Sequence, residues 1–86
     1  MSTTTILGRL LDPIALSLTA ETAQQVVDYR ADEQTQARID ELADKCNEGE
    51  LTPEERREYD GYISAIDVLT VLQAKARSRL EQHAAT

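Results

Sequence analysis

Asp44-Lys45-Cys46-Asn47-Glu48-Gly49-Glu50-Leu51-Thr52-Pro53-Glu54-Glu55 is the stretch on which the fold turns. Asn47 and Gly49 are helix-stopping residues, Gly49 because it adopts the left-handed backbone of a C-terminal cap at no steric cost. Thr52-Pro53-Glu54-Glu55 then opens a new helix. Thr52 is placed to cap it, Pro53 to occupy its first position, and Glu55 to close a capping box. A strong stop followed three residues later by a strong start predicts a tight bend between two helices, with Gly49, Thr52, Pro53 and Glu55 as its structural hinge.

Downstream of the bend no breaker follows until about His83, so the last helix is expected to span ~30 residues, ~45 Å. Gly61 interrupts it, either as a tolerated flaw costing about 1 kcal/mol relative to Ala or as the mark of a close approach by another backbone. Upstream, Thr19 is a candidate N-cap with Glu21 in the first turn, where the helix dipole favours an acid. Ala23, Val26, Val27 and Ala31 line one face, and Ile39, Leu42, Ala43 and Cys46 resume it. This arm reads as one helix of ~28 residues or, preferably, two. Asp32-Glu33 looks like a fresh start, and Thr35 weakens helix propensity there.

The fold expected is therefore all-α: an antiparallel helical hairpin with a long C-terminal helix, its first arm broken near Ala31-Asp32. Pairs whose residue numbers sum to about 100 should meet, which puts Ile39 and Leu42 opposite Tyr59 and Tyr62, and Val27 near Leu72. At 100° per residue, the apolar side chains from Tyr59 to Leu80 cover roughly 220° of the last helix, whereas one partner needs a stripe little more than ~100° wide. Two neighbours are required. The N-terminal arm is one candidate: Leu7, Leu10, Leu11, Ile14, Leu16 and Leu18 are too many apolar side chains for a free tail. Ile6–Leu11 is expected to form one or two helical turns ended by Asp12-Pro13. Residues 1–5 and 84–86 are expected to be flexible flanks of a single domain covering 1–86.

Composition narrows the function. The 86 residues carry a net charge of −7, and residues 28–60 hold twelve acids against five bases. Direct binding of nucleic acid is not expected of such a chain, because phosphate recognition draws on Lys and Arg. An acidic protein of this kind suits a soluble role or a basic partner surface. Cys46 is the single cysteine, which fits a reducing cytoplasm and a small apolar residue on the last turn of its helix. No apolar run reaches the ~18–20 residues of a membrane span, and no signal-peptide pattern is present.

Catalytic and cofactor chemistry finds no foothold. His83 is the only histidine, so neither a nucleophile–His–Asp triad nor a zinc cluster can be assembled within one chain. Acid pairs such as Asp40/Asp44 and Glu54/Glu58 are interleaved with Arg and Lys, as on an ordinary solvated face. No cofactor is expected. The bend has the skeleton of a calcium loop, with Asp44 at position 1, Gly49 at 6 and Glu55 at 12. Cys46 at position 3 has no oxygen to give, and Glu48 stands at position 5 where a shorter side chain is usual. A degenerate calcium module using Asp44, Glu48, Glu50 and Glu55 stays as one alternative.

The surface of the last helix is the better place to look. Gln73 falls near the centre of its apolar arc and Arg77 at the edge. A polar group there specifies register, meets a polar partner, or lies past the packed region in water. Val71 lies opposite the main stripe, among Asp60, Ser64 and Asp67. Tyr62, Val68, Val71, Leu72, Gln73, Lys75 and Arg77 are accordingly the candidate partner-binding residues.

Leu18-Thr19-Ala20-Glu21, Arg30-Ala31-Asp32, Gln36-Ala37-Arg38-Ile39-Asp40-Glu41-Leu42-Ala43 and Asn47-Glu48-Gly49-Glu50-Leu51-Thr52-Pro53-Glu54-Glu55-Arg56 resemble a family of small bacterial proteins of uncharacterised role. The resemblance continues through Glu58-Tyr59 to Leu72-Gln73-Ala74-Lys75-Ala76-Arg77 and covers most of residues 10–80. Members are often encoded beside an HNH-type endonuclease. The resemblance implies a bound protein partner, with that nuclease as the candidate, in an inhibitor-like, antitoxin-like or assembly role, and it implies no active site. Pro commonly follows the Ala-Asp pair in the family, which favours a helix break; Glu33 in that place leaves it open. The function expected is a non-enzymatic protein-interaction module, with an obligate homodimer using the same 220° stripe as the structural alternative.

Overall fold

Each of the four helices starts where the sequence supplies a capping side chain. In the computed structural model, which describes residues 2–85 and the side chains of 2–83, they are α1 (Thr3–Leu16), α2 (Ala20–Asp28), α3 (Glu33–Glu48) and α4 (Pro53–Ala85). No strand occurs among the described residues. Ser2 Oγ accepts from Thr5 N at 3.2 Å, Thr19 Oγ1 from Thr22 N at 3.1 Å and Asp32 Oδ1 from Thr35 N at 2.8 Å. The capping box of α4 is complete: Glu55 N donates to Thr52 Oγ1 and Thr52 N donates to Glu55 Oε1, both at 3.1 Å. Each such bond satisfies an amide that the first helical turn leaves without a partner.

The bend is built as its residues dictate. Gly49 has φ 71°, its N–H donates to the Cys46 carbonyl at 3.1 Å, and Glu50 N donates to the Lys45 carbonyl at 2.8 Å. These two bonds close the end of α3 in a Schellman motif. The break in the first arm is also present, since α2 ends at Asp28 and α3 opens after Asp32.

Three expectations need correction. Residues 3–5, read as loose from their Ser/Thr content, form the first turn of α1; Met1 lies outside the described residues. Asp12-Pro13 does not end that helix, which runs on to Leu16 with Pro13 inside it. Pro13 sits in the last turn, so it removes one hydrogen bond near an end that is already closing. There Ser17 N and Leu18 N take the carbonyls of Ile14 and Ala15 at 3.1 Å. Of the expected loose tail, 84 and 85 belong to α4, and Thr86 lies outside the described residues. Gly61 has open space where a Cβ would stand, so no backbone among the described residues meets that position and it reads as the tolerated flaw.

The chain divides into two compact units, both of which use part of α4. One, Arg30–Ile66, contains α3 and the first part of α4. The other takes the chain up to Tyr29 together with the part from Asp67 onward, and so contains α1, α2 and the rest of α4. Within the α3 unit, Leu42 is fully buried and Ile39, Tyr59 and Tyr62 are half-buried. Its cross-helix pairs, Lys45 with Glu55 and Arg38 with Glu58, follow the register in which residue numbers sum to about 100. The same register holds in the α1–α2 unit, where Gln73 of α4 reaches Val26 and Tyr29. There α4 has the two neighbours its wide apolar arc demands, α1 and α2.

Candidate interaction surface

In the α1–α2 unit, α2 and α4 leave an open groove of about 270 Å³ lined by Thr22, Gln25, Val26, Tyr29, Leu69 and Leu72. The α2 residues recur every three or four positions, which places them along one helical side. Tyr29 is 54% exposed and Val68, one turn before Leu72 on α4, is 39% exposed. An aromatic ring and three branched aliphatic side chains around a shallow depression, with only Thr22 and Gln25 polar, make a seat for apolar side chains.

Gln73 explains why the groove has the shape it has. Its Nε2 donates to the carbonyls of Val26 at 3.1 Å and Tyr29 at 3.0 Å. These carbonyls lie at the end of α2, where the intrahelical ladder stops, and that of Val26 also accepts from Tyr29 N at 3.3 Å. The amide in the apolar arc therefore ties the end of α2 to α4 and sets their register. Lys75 is likewise engaged within the chain: its ammonium pairs with Asp12 of α1, and its Cε and Nζ lie 3.8 Å from where a Cβ on Gly8 would stand. Beside this pair is a smaller cavity of about 140 Å³, lined by Asp12, Ala15, Leu16, Lys75, Ser78, Arg79 and Gln82. Arg79 Nη1 donates to Gln82 Oε1 at 2.9 Å, while its Nε is buried without a partner.

The sequence-predicted residues thus separate. Leu72 lines the groove and Val68 is exposed one turn away. Val71 is half-buried and shares its side of α4 with Lys75, Ser78 and Gln82, the side that meets α1. Arg77 is exposed, and Tyr62 is half-buried in the other unit. Thr22, Gln25, Tyr29 and Leu69 were not singled out from sequence. Tyr29 was legible in principle, as the one aromatic residue placed beside a helix break.

At the bend the carboxylates are committed to structure. Arg38 makes a two-point contact with Glu58, Nε to Oε2 at 2.9 Å and Nη2 to Oε1 at 2.8 Å, and also pairs with Glu41. Lys45 Nζ reaches Glu55 Oε2 at 2.7 Å. The hydrogen bond from Lys45, followed by that from the Thr52 amide, holds the Glu55 carboxyl down at about 2. Arg38 depresses Glu58 in the same way, and Glu55 in turn raises Lys45. With one oxygen on Lys45 and the other on the Thr52 amide, Glu55 is not placed as the chelating twelfth ligand of a calcium loop. Among the described residues no group of three or more His, Cys, Asp or Glu is placed to hold a metal, so Asp44, Glu48, Glu50 and Glu55 do not converge as ligands.

No helix among the described residues is long and apolar enough to cross a membrane. No family model, curated protein or solved structure matches this chain.

Proposed function

We propose that this chain acts without catalysis, as a helical interaction protein that seats apolar side chains of a protein partner in the groove between α2 and α4. The observation carrying this reading is the open apolar depression at Val26, Tyr29, Leu69 and Leu72, with Val68 exposed nearby. A surface of this composition gains by being covered. Charge indicates the character of the rest of the contact. The α3 unit holds eleven acidic against five basic side chains, a net of −6 out of the chain's −7, which suits a basic partner. The partner class follows from the family resemblance: an HNH-type nuclease, whose basic DNA-binding surface would be covered in an inhibitor-like or assembly complex in the cytoplasm.

Calorimetric titration of the full chain into an HNH-type nuclease from the same genome tests this directly. A saturable complex, weakened at least about tenfold by Tyr29→Ala and by Val68→Lys, is the expected result. No heat of binding and unchanged DNA cleavage would remove the nuclease from the proposal. A complex indifferent to both substitutions would remove the groove.

A further inference from the structure

The side of α4 that meets α1 carries hydrogen-bond donors where a packed helix ordinarily carries apolar side chains. Lys75, Ser78, Arg79 and Gln82 recur at i, i+3, i+4 and i+7, which makes them one stripe of the helix. With Asp12 of α1 they line the cavity of about 140 Å³.

These donors outnumber the acceptors that the chain offers them. A guanidinium and an ammonium donate only and accept nothing. Lys75 gives one N–H to Asp12 Oδ1, and Arg79 Nη1 gives one to Gln82 Oε1 at 2.9 Å. Among the described residues Arg79 pairs with no carboxylate, and its Nε is buried without a partner. The nearby end of α1 does not relieve it. There the Ile14 carbonyl accepts from Ser17 N at 3.1 Å and Ser17 Oγ at 2.7 Å, and the Ala15 carbonyl accepts from Leu18 N at 3.1 Å. A partly buried cation left so incompletely paired is costly, and it calls for an acceptor from outside the chain.

We infer that this cavity binds a carboxylate group, held by the Arg79 guanidinium with the Ser78 hydroxyl and the Gln82 amide beside it. Charge selects the ligand. Lys75 and Arg79 against Asp12 leave the cavity one net positive charge, in a chain whose net charge is −7. A carboxylate brings one negative charge, whereas a phosphate monoester brings about −1.5 to −2 at neutral pH and would be repelled more strongly by Asp12. Shape agrees, because a guanidinium offers a planar fork to the two oxygens of a carboxylate. The volume is about ten times the ~10–15 Å³ that a single water needs, so a group of several atoms fits. The cavity lies between α1 and α4, away from the α2–α4 groove, so this inference and the proposed partner site stand or fall separately.

The test is a titration of the full chain at neutral pH and constant ionic strength, followed by backbone amide and arginine Nε–H spectra. The probes are sodium acetate, a capped peptide with one glutamate, inorganic phosphate and sodium chloride. Acetate is expected to shift Ser78, Arg79 and Gln82 saturably in the millimolar range, with no saturable shift from chloride. Arg79→Gln should weaken binding at least about tenfold. Arg79→Lys keeps the charge but loses the fork, should weaken it comparably, and decides the matter if Arg79→Gln loses its helical circular dichroism. Asp12→Asn, which removes the competing carboxylate and frees Lys75, should tighten binding by at least about threefold. Tighter binding of the peptide than of acetate would make the source an acidic side chain of another protein; the reverse order would make it a free small carboxylate. Shifts that never saturate, an equal response to chloride, tighter binding of phosphate, Arg79 variants that bind like the wild type, or a folded Asp12→Asn that binds more weakly would each overturn the inference.

Discussion

The two units of this chain solve the same packing problem with opposite materials. The α3 unit buries one large side chain, Leu42, and surrounds it with Arg38, Glu41, Lys45, Glu55 and Glu58 in a connected set of ion pairs. The α1–α2 unit buries three alanines, one on each of its helices, and is tied by an amide on two carbonyls and one Lys–Asp pair. Small side chains at the buried positions bring helices together while removing little apolar area from water. The large apolar side chains Ile6, Leu10, Ile14, Leu16 and Tyr29 therefore stay on the outside of that unit. The α3 unit leaves Ile63 and Ile66 exposed at 41% and 38%, and the α1–α2 unit presents more of its apolar material than that.

The contrast breaks most visibly at Leu42. Leu42→Ala removes the only large, fully buried side chain among the described residues and should cost about 3 kcal/mol, read from denaturant unfolding. Hydrogen-exchange protection should fall first in Arg30–Ile66; an equal loss in α1 and α2 would show that Leu42 serves the whole chain instead. Ala76→Leu probes the other unit. Ala76 is fully buried, so the added methylenes must push α4 from its neighbours, at a cost of about 2 kcal/mol. A neutral result would mean the helices have room to spare there. Smaller again is Gln73→Ala, which removes the amide that donates to the carbonyls of Val26 and Tyr29 and should cost about 1 kcal/mol. Gln73→Glu, which swaps the donating amide for a carboxylate aimed at two carbonyls, should be worse than Gln73→Ala; the reverse order would refute the tie.

What the sequence made legible follows the same division. The bend, the capping box at Thr52, the break before Asp32 and the antiparallel register are written in local chemistry, where one or two residues decide a backbone conformation. Leu42 was legible because its neighbours on α3 repeat at helical spacing. The α1–α2 unit was harder. Pro13 reads locally as a stop, yet it falls in the last turn of α1, where losing one hydrogen bond does not end the helix before Leu16. Gln73 was visible as a polar residue in an apolar arc, but its acceptors lie more than forty positions away. The exposed face of α1 was counted as core material, because hydrophobic periodicity shows which side of a helix is apolar and not whether anything of the same chain covers it.

Acid offers the gentlest separation of the two units. Glu55 is held at about 2 against an ordinary 4.5, and Glu58 is also held below its ordinary value. A carboxylate whose folded value is depressed stabilises the fold above its ordinary value, and that stabilisation is lost as pH falls toward the folded value. The α3 unit should therefore weaken progressively from about pH 5 down to about 2. These pairs are partly exposed and screened by salt, so each contributes little and the effect should shrink as ionic strength rises. The tie through Gln73 has no proton to gain in this range. Amide spectra recorded from pH 6 to 2 should show Arg38, Leu42 and Lys45 shifting or losing intensity before Ala23 and Ala76. Substituting Glu55→Gln should bring the acid transition of the α3 unit closer to the neutral-pH baseline, since a neutral amide in that place no longer responds to protons. An acid transition in which Ala23 and Ala76 lead would mean that the ion pairs around Arg38 and Lys45 decorate the α3 unit without holding it.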